Sequence, residues 1–361
     1  MAIRPDDAAT LAKGIRESFQ EAETLLLQRI ANALAAGGDA PNWVEQKLHN
    51  IQFLQRQMDR ILADLEKGLP KAVEKAVAFA YNRGVATAGA ELSTAGYVYG
   101  AFDSVQPTSA VAALVAETMD NMDPMIFQIR RAAMDVYQQV ITQATVQTTL
   151  GTVTRREASR LALTRFAKQG ITGFRDTAGR NWNMASYAEM AVRSSTASAM
   201  LQGHTDRIVE LGVDTVIVSD AAEECKICRP YEGKVLSISG QGVGKRLSDG
   251  KTVVASLAEA KRAGLYHNNC RHSHAIYLPG ITKAPAKATA DPAGDALRQK
   301  QRAHERRLRE LKREVAIAES YGPAEATKAR AKLRAKQAEF KTFRDDHDRK
   351  DLSYRMSIKA R

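Results

Sequence analysis

The chain has 361 residues, enough for two or three domains with cores of their own. Hydrophobic residues make up 44% of it but aromatic residues only 6%, a composition that favours a helix-rich protein over a β-sandwich. The N-terminal residues show no basic segment followed by an apolar run, and no apolar stretch approaches about eighteen residues. Neither a signal peptide nor a membrane span is therefore expected.

Residues 1–150 are predicted to form long helices, because apolar residues recur there at every third or fourth position. Glycine and proline mark the expected ends of these patterns. The predicted helices begin near Leu11, Pro41, Pro70 and Pro107 and end near Gly37, Gly68, Leu92 and Thr149.

From residue 151 the pattern changes to shorter helices and strands. Thr154 and Glu157 have the spacing of a capping box and predict a helix that stops at Gly170. Further predicted elements are a strand and turn over 173–180, a helix from Asn183 or Ser186 to about Met200, a strand over 213–218, a β-hairpin over 229–263, and a short helix over 256–263 followed by Gly264.

All three cysteines of the chain lie in one stretch. Cys225 and Cys228 form a C-x2-C pair, and His267, Cys270 and His272 form an H-x2-C-x-H group roughly forty residues later. Thiolate and imidazole ligands at this spacing are typical of a closed zinc site. We predict Cys225, Cys228, His267 and Cys270 as tetrahedral ligands of a structural Zn²⁺, with His272 as the alternative fourth ligand or as a group that supports a ligand.

Other roles for these cysteines are open. Three cysteines do not pair off into a disulfide framework. A redox C-x2-C pair would open a helix after a strand, whereas Cys228 is followed by Pro230 and a strand-like segment over 234–238. Inert buried thiols and redox chemistry stay alternatives to zinc. A catalytic zinc would keep one position open for water, but the candidate ligands fill four positions, so a structural site is favoured.

The same stretch resembles the phage minor capsid protein 2 family, a relative of the Mu F-like minor head proteins. The resemblance is carried by VIVS over 216–219, CKICRPYEGKV over 225–235 and GLYHNNCRHS over 264–273. It extends upstream through 170–193 and covers roughly residues 150–280. Asn268 stands where the family usually has proline. The resemblance implies a portal-associated virion protein that acts in head assembly, DNA packaging or DNA delivery.

The positive charge of the chain is concentrated in its tail. Residues 281–361 hold 22 Lys and Arg against 12 Asp and Glu, a net of +10 out of +12 for the chain. Neutralising phosphates releases counterions, so non-specific contact with packaged double-stranded DNA is predicted; a solvated helix surface is the alternative. The predicted DNA-contact residues are Arg302, Arg306, Arg309, Lys312, Arg313, Lys332, Arg334 and Lys336.

The predicted fold is mainly α, with a small zinc-stabilised α+β module, long N-terminal helices and a C-terminal helical hairpin or coiled-coil arm. The expected domains are a helical portal- and partner-docking region (1–150), the minor-capsid α+β domain with zinc knuckles (151–280), a linker (281–296) and a basic helical arm (297–361). Gly322 and Pro323 are expected to break the arm into two helices.

The favoured function is a structural, non-enzymatic role in the capsid interior near the portal vertex, after synthesis in the host cytoplasm. The expected partners are the portal protein, other head proteins and DNA, but no membrane. One alternative is an HNH-like nuclease, which needs a histidine base, a downstream asparagine and a metal-binding histidine about one helix later. After His274 the next histidine is His304, beyond the linker. Another is a zinc-containing nucleic-acid-binding protein, but the charges of residues 215–280 nearly balance.

Overall fold

The computed structural model describes residues 12–37, 40–96, 109–150, 153–169, 173–175, 179, 181–221, 226–268, 270–283 and 291–358. Helices dominate these residues and a small mixed sheet accompanies them, which confirms the predicted mainly α class. The helices are α1 (Lys13–Ala35), α2 (Trp43–His49), α3 (Ile51–Thr94), α4 (Ser109–Thr149), α5 (Arg155–Gln169), α6 (Met184–Glu210), α7 (Leu257–Arg262), α8 (Pro292–Tyr321) and α9 (Pro323–Asp346). The strands are β1 (Gly173–Arg175), β2 (Asn181–Asn183), β3 (Thr215–Val218), β4 (Val235–Ser237), β5 (Val253–Ser256) and β6 (His274–Ile276).

The chain forms two compact units, each assembled from separate stretches. Unit 1 comprises the described residues of Met1–Ile15, Pro70–Asn121 and Glu189–Arg298. Unit 2 comprises Arg16–Leu69, Met122–Ala188 and Gln299–Arg361. The functional division predicted at residues 150, 280 and 296 stays a prediction. Within the described parts of the chain, none of the helices combines the length and the apolar character that a bilayer crossing requires.

Helix α3 is longer than the sequence predicts. Gly68 and Pro70 indicated a break, yet the helix continues through both for 44 residues. A proline inside a helix removes one hydrogen bond and costs ~3 kcal/mol. Leu65, Leu69 and Val73 are all buried, so the apolar face stays in phase across the proline. Burial at about 1.5–3 kcal/mol per side chain outweighs the local cost.

Helices α3 and α6 cross with their backbones in close contact inside unit 1. A Cβ atom on Gly84 would lie 2.0 Å from the carbonyl oxygen of Met200, and one on Gly203 would lie 2.2 Å from that of Tyr81. Only glycine fits at these two positions. Next to this crossing, the Tyr81 hydroxyl donates a 2.8 Å hydrogen bond to the Asp206 carboxylate.

The mixed sheet lies in unit 1 and has the strand order β5-β4-β3-β6. Strand β3 is antiparallel to β4 and to β6, whereas β4 and β5 are parallel. The β-hairpin predicted over 229–263 is therefore wrong in its strand direction. The intervening segment makes its own reversal at the Arg246–Thr252 bridge, and Gly240 and Gly244 adopt φ values of +82° and +81°. Strand β5 consequently enters the sheet in the same direction as β4.

Side-chain caps begin three helices at the positions that the sequence indicates. The Thr154 hydroxyl accepts the amide of Glu157 at 3.1 Å, and the Asn183 side chain accepts the amide three residues later at 3.1 Å. At α7, Ser256 and Glu259 form a reciprocal capping box. Helix α7 then delivers the chain to Gly264, at φ +103°, and so to the loop that carries the last cysteine.

Helices α8 and α9 run antiparallel within unit 2. The His304 ring, in α8, stacks on that of Phe343, near the end of α9, with centroids 4.8 Å apart. At the opposite end of the pair, Arg330 donates to Glu319 at 2.6 Å. The two helices meet at Gly322, whose φ is +123°. Helix α8 begins within the predicted linker 281–296, of which residues 284–290 lie outside the described residues.

Candidate metal centre

Three potential metal ligands converge in unit 1. Cys228 immediately precedes the short 3-10 helix Arg229–Tyr231, and Cys270 and His272 lie in the segment that leads into β6. The three ligand atoms all lie within 4.8 Å of one another. Cys228 and His272 are buried and Cys270 is half-buried. Sequence positions more than forty residues apart therefore meet at one point.

Two interatomic distances in this cluster are close to those between ligands of a tetrahedral zinc ion. The Sγ atoms of Cys228 and Cys270 are 3.5 Å apart, and the Sγ of Cys270 is 3.4 Å from Nδ1 of His272. Zinc–sulfur bonds of about 2.3 Å and zinc–nitrogen bonds of about 2.0 Å place two sulfurs roughly 3.7 Å apart and sulfur and nitrogen roughly 3.5 Å apart. A disulfide bond is only about 2.0 Å long, so Cys228 and Cys270 are not joined by one.

Glu232 orients the imidazole of His272. The His272 side chain is 2% exposed and that of Glu232 is 13% exposed. The Nε2 atom of His272 donates to a Glu232 carboxylate oxygen at 2.5 Å, while Nδ1 is directed at Cys270. Histidines that ligate metals usually donate their other ring nitrogen to a carboxylate or carbonyl in this way. The spacing of the Cys and His residues gives no indication of this role for Glu232, although Glu232 lies four residues after Cys228.

The electrostatics of the cluster favour a thiolate. The hydrogen bond with Cys228 is the largest cause that lowers the pKa of Cys270; together with His272 it outweighs burial and brings that pKa to about 4. Burial lowers the pKa of His272, but hydrogen bonds and charge interactions with Cys270 and Glu232 raise it to about 9. The backbone amide of His272 also donates to the Cys270 sulfur at 3.3 Å. Thiolate is the form of cysteine that binds a metal.

The cluster is attached to the core of the sheet. Ser219 and Ser273 join the end of β3 to the ligand-bearing segment, through a 2.8 Å backbone bond and a 2.9 Å bond from the Ser273 amide to the Ser219 hydroxyl. Cys228 is fully buried in the apolar core on one face of the sheet. Other members of this core are Ala88, Leu92, Ile208, Val216, Val218, Leu236, Leu257, Ala260, Leu265, Ile276 and Leu278.

A second polar cluster holds the loop before Cys270. Tyr266 has a φ of +65°, and its hydroxyl lies 3.0 Å from Nδ1 of the buried His274. The Thr205 hydroxyl donates to the carbonyl of Leu201, so it accepts from Nε2 of His274 at 3.2 Å. His274 consequently carries its proton on Nε2, and Tyr266 donates to Nδ1. Burial lowers the pKa of His274 and keeps the ring neutral.

The structure brings together some of the predicted zinc ligands. Cys228 and Cys270 meet, and the histidine beside them is His272, the alternative fourth ligand, rather than His267. Nδ1 of His267 lies 2.8 Å from the carbonyl oxygen of Asn268. Cys225 lies outside the described residues. Alternate residues of an extended segment point the same way, so the spacing of Cys270 and His272 was the available signal. The full ligand assignment stays a prediction.

The predicted DNA-contact residues differ in their exposure. Arg306, Lys332 and Arg334 are exposed, and Arg302, Arg309, Lys312 and Lys336 are half-buried. Arg313 is buried and forms a 3.1 Å ion pair with Glu23 inside unit 2. The Lys312 ammonium donates to the carbonyl of Met356 at 2.7 Å. Contact with DNA stays a prediction, and the exposed members of this set are the ones that are accessible to a partner.

These features define a mainly helical protein in which a small mixed sheet carries a Cys/His cluster suited to a metal. The chain matches the phage minor capsid protein 2 family over residues 3–345 and belongs to that family. It is similar to a protein described as a structural protein of Lactococcus phage LL-H, with 23% identity over 257 residues that cover 68% of this chain and 69% of the relative. No solved structure matches the chain. Membership of a phage structural family implies a place in the virion and favours a non-enzymatic role.

Proposed function

We propose that this protein is a minor component of the phage head that lies next to the portal. There it acts in head assembly, DNA packaging or DNA delivery. We propose further that a structural zinc ion cross-links its sheet module. The family match over residues 3–345 supports the head role. The portal role is drawn from the likeness of this family to the Mu F-like minor head proteins. Contacts with other head proteins belong to the same proposal.

One observation carries the zinc proposal: Cys228, Cys270 and His272 converge within 4.8 Å on a buried core. Cys225 supplies the fourth ligand on the grounds of the C-x2-C spacing, since zinc knuckles use both cysteines of such a pair. When bound, zinc supplies a cross-link between the Cys228 segment and the segment that enters β6. Glu232 holds His272 in the tautomer and orientation that ligation requires.

A cross-link of this kind has a clear physical use here. The four strands of the sheet are only three or four residues long, so their ladders supply few hydrogen bonds. The free energy of zinc binding becomes folding free energy when the ligands meet only in the folded chain. A metal ion therefore stabilises a small module that has limited core of its own.

Elemental analysis of the purified full-length protein tests the zinc proposal. We expect about one zinc per chain, and thiols that resist alkylation until a chelator is added. Cys228→Ala and His272→Ala should lose the metal, while the matched control His267→Ala should keep it. Zinc that is retained by both of the first two variants would contradict the proposal, and zinc that is lost only from His267→Ala would reassign the histidine ligand.

Co-expression with the portal protein of the same phage tests the location. Phe53 and Phe127 are 61% and 65% exposed in unit 2, so their rings are available to a protein partner. We expect co-purification with the portal, and at least a fivefold reduction for Phe53→Ser with Phe127→Ser. The control Val254→Ser changes an exposed apolar residue of unit 1 and should leave the yield unchanged. A failure of the wild-type chain to co-purify would contradict portal association.

A further inference from the structure

Helix α9 carries a continuous strip of small side chains on its exposed side. The residues of this strip follow one another at intervals of three or four, which places them on one face of a helix. All of them are exposed. The members of this small-residue strip are Ala324, Thr327, Ala331, Ala335, Ala338 and Thr342.

Two rows of basic side chains flank the small-residue strip. Lys328 and Lys332 lie along one side of it, and Arg330, Arg334 and Lys341 lie along the other, again at helical spacing. All five are exposed. Residues 327–343 contain six Lys and Arg against one Glu, a net of +5. A strip of small residues alone indicates no ligand, but this symmetrical flanking charge does.

The opposite side of α9 faces the protein. Ala326 and Phe340 are its buried residues, and Phe343, near the end of the helix, stacks on His304 of α8. The single acid of the segment, Glu339, accepts from Lys336 at 2.6 Å. The strip and its basic rows are therefore directed at solvent within unit 2.

Two of these five cations have no acidic partner among the described residues. Arg330 pairs with Glu319, and Lys328 pairs with Glu325 at 3.1 Å. Among the described residues, Arg334 and Lys341 form no ion pair, and Lys332 lies beyond ion-pair distance of any carboxylate but interacts electrostatically with Glu325. Exposed cations without a counter-charge attract a polyanion, and bound counterions are released when phosphates replace them.

We propose that α9 binds in the major groove of duplex DNA, with the small-residue strip toward the groove floor and one basic row toward each phosphate strand. The major groove is about 12 Å wide and accommodates an α-helix of about 10–12 Å diameter. Alanine and threonine allow a close approach to the floor, and Lys and Arg on both sides reach the two walls. The inference rests on the proposed place in the head, where packaged duplex DNA is the abundant polyanion.

The composition of the strip also determines what kind of binding results. Specific readout of bases relies mainly on Arg, Lys, Asn or Gln directed at the base edges, and the strip has none of these. Binding should therefore be independent of sequence and should depend on phosphate contacts. A protein partner would instead select larger apolar or aromatic anchors on the exposed face, which the strip lacks.

Fluorescence anisotropy of the full-length protein with a mixed-sequence DNA duplex tests the basic rows. A duplex of about 30 base pairs is longer than the footprint of one helix. Relative to wild type, Lys332→Gln/Arg334→Gln/Lys341→Gln should bind at least tenfold more weakly at low salt. The slope of log affinity against log salt should fall by about one per residue, hence about three. The matched control Arg56→Gln/Arg60→Gln/Lys67→Gln removes the same charge from exposed positions of α3 and should keep both values near wild type.

A neutral substitution tests the groove itself. Ala335→Phe adds bulk at the centre of the strip without changing charge, so it should weaken DNA binding at least fivefold, whereas Ala63→Phe on exposed α3 should not. Unchanged affinity of Ala335→Phe would overturn groove insertion. Equal losses in the two triple variants, or competition by poly-glutamate as strong as by DNA, would overturn a duplex-specific surface on α9.

The outcomes separate this inference from the proposed function. A chain that co-purifies with the portal but does not bind the duplex at low salt overturns the α9 inference and leaves the head assignment in place. A chain that binds the duplex through α9 but does not associate with the portal supports the α9 inference and contradicts portal association. Circular dichroism of each variant checks that the helix is retained.

Discussion

The candidate metal centre and helix α9 arrange polar side chains in opposite ways. At the candidate metal centre, Cys228, Cys270, His272 and Glu232 converge, and each contacts another member of the cluster. On α9 the cations are exposed, spaced along the helix, and in part without an ion pair inside the described protein. The first arrangement stabilises this chain, whereas the second leaves its interaction energy available to another molecule.

This difference has an energetic consequence. Removing one partner from a buried, hydrogen-bonded cluster leaves the remaining polar groups unsatisfied, at about 1–3 kcal/mol for each group and more for a charged one. Removing an exposed cation usually changes stability by less than about 0.5 kcal/mol. Mutation should therefore separate folding from binding in the two regions.

The largest effect is expected for Cys270→Ser. The change removes a proposed ligand that contacts both Cys228 and His272, so metal and its contribution to folding should both be lost. We expect a decrease of several kcal/mol in the free energy of unfolding, measured by urea denaturation at saturating zinc. Ser248→Ala, at an exposed serine of the same unit, is the control. A decrease of equal size in both variants would remove the contrast between the regions.

A smaller effect is expected for Glu232→Gln, which keeps the shape of the residue that orients His272. Loss of a carboxylate behind a histidine ligand typically costs 10- to 100-fold in metal affinity, so about that decrease is expected in competition with a chelator. The fold should persist when zinc is in excess. Glu210→Gln, an exposed carboxylate of unit 1, should bind zinc like wild type. An unchanged affinity for Glu232→Gln would show that His272 needs no support.

Lys47 is a buried cation outside both regions. It therefore tests whether the effect of a polar side chain on stability depends on its burial rather than on its charge. Its side chain is buried, and its ammonium donates to the carbonyls of Ala33 and Ala36 at the end of α1. Burial lowers its pKa from 10.5 to about 8. Between these values the folded chain has released a proton that the unfolded chain still holds, so stability contributed by this group rises with pH in that window.

The comparison of wild type with Lys47→Met isolates that contribution. The difference in unfolding free energy between wild type and variant should shift in favour of wild type from pH 8 to pH 10.5. The corresponding comparison for exposed Lys67→Met should be flat over the same range. A flat profile for Lys47→Met would mean that the lysine titrates like an exposed one.

The smallest effect is expected for Lys332→Ala on α9. The side chain is exposed and forms no ion pair with the described residues, so stability should change by less than about 0.5 kcal/mol. Duplex binding should nevertheless weaken, with a salt slope lower by about one. A thermal melt and one salt titration measure both. A large loss of stability in Lys332→Ala would mean that this side chain contributes to folding rather than to a binding surface.

Helix positions could be predicted well where a side chain marks the end. Thr154 and Ser256 cap the starts of their helices, and Gly322 separates α8 from α9 with a positive φ. These positions could be predicted because such signals are local. The continuity of α3 could not be predicted in this way. The sequence shows that Pro70 removes a hydrogen bond from the helix. It does not show the buried surface that compensates for this loss, because that surface depends on what packs against the helix.

The residue types of the candidate metal centre could be predicted, but its detailed arrangement could not. Its ligand types and the convergence of Cys228 with Cys270 follow from spacing. The choice between His267 and His272 depends on the turn that precedes Cys270, and the contribution of Glu232 depends on how the 3-10 helix places it. Likewise, short apolar strands carry no information on direction, so the parallel pairing of β4 with β5 required the path of the intervening loop.

The close crossing of α3 and α6 at Gly84 and Gly203 constrains how this chain can vary during evolution. An added methyl group at either position would meet a carbonyl oxygen at 2.0–2.2 Å, and no rotamer change relieves a clash with backbone. Family members that keep the α3–α6 crossing should therefore keep both glycines, even at identities near the 23% of the Lactococcus phage relative. In such divergent lineages these two positions should persist while the exposed helix surfaces drift.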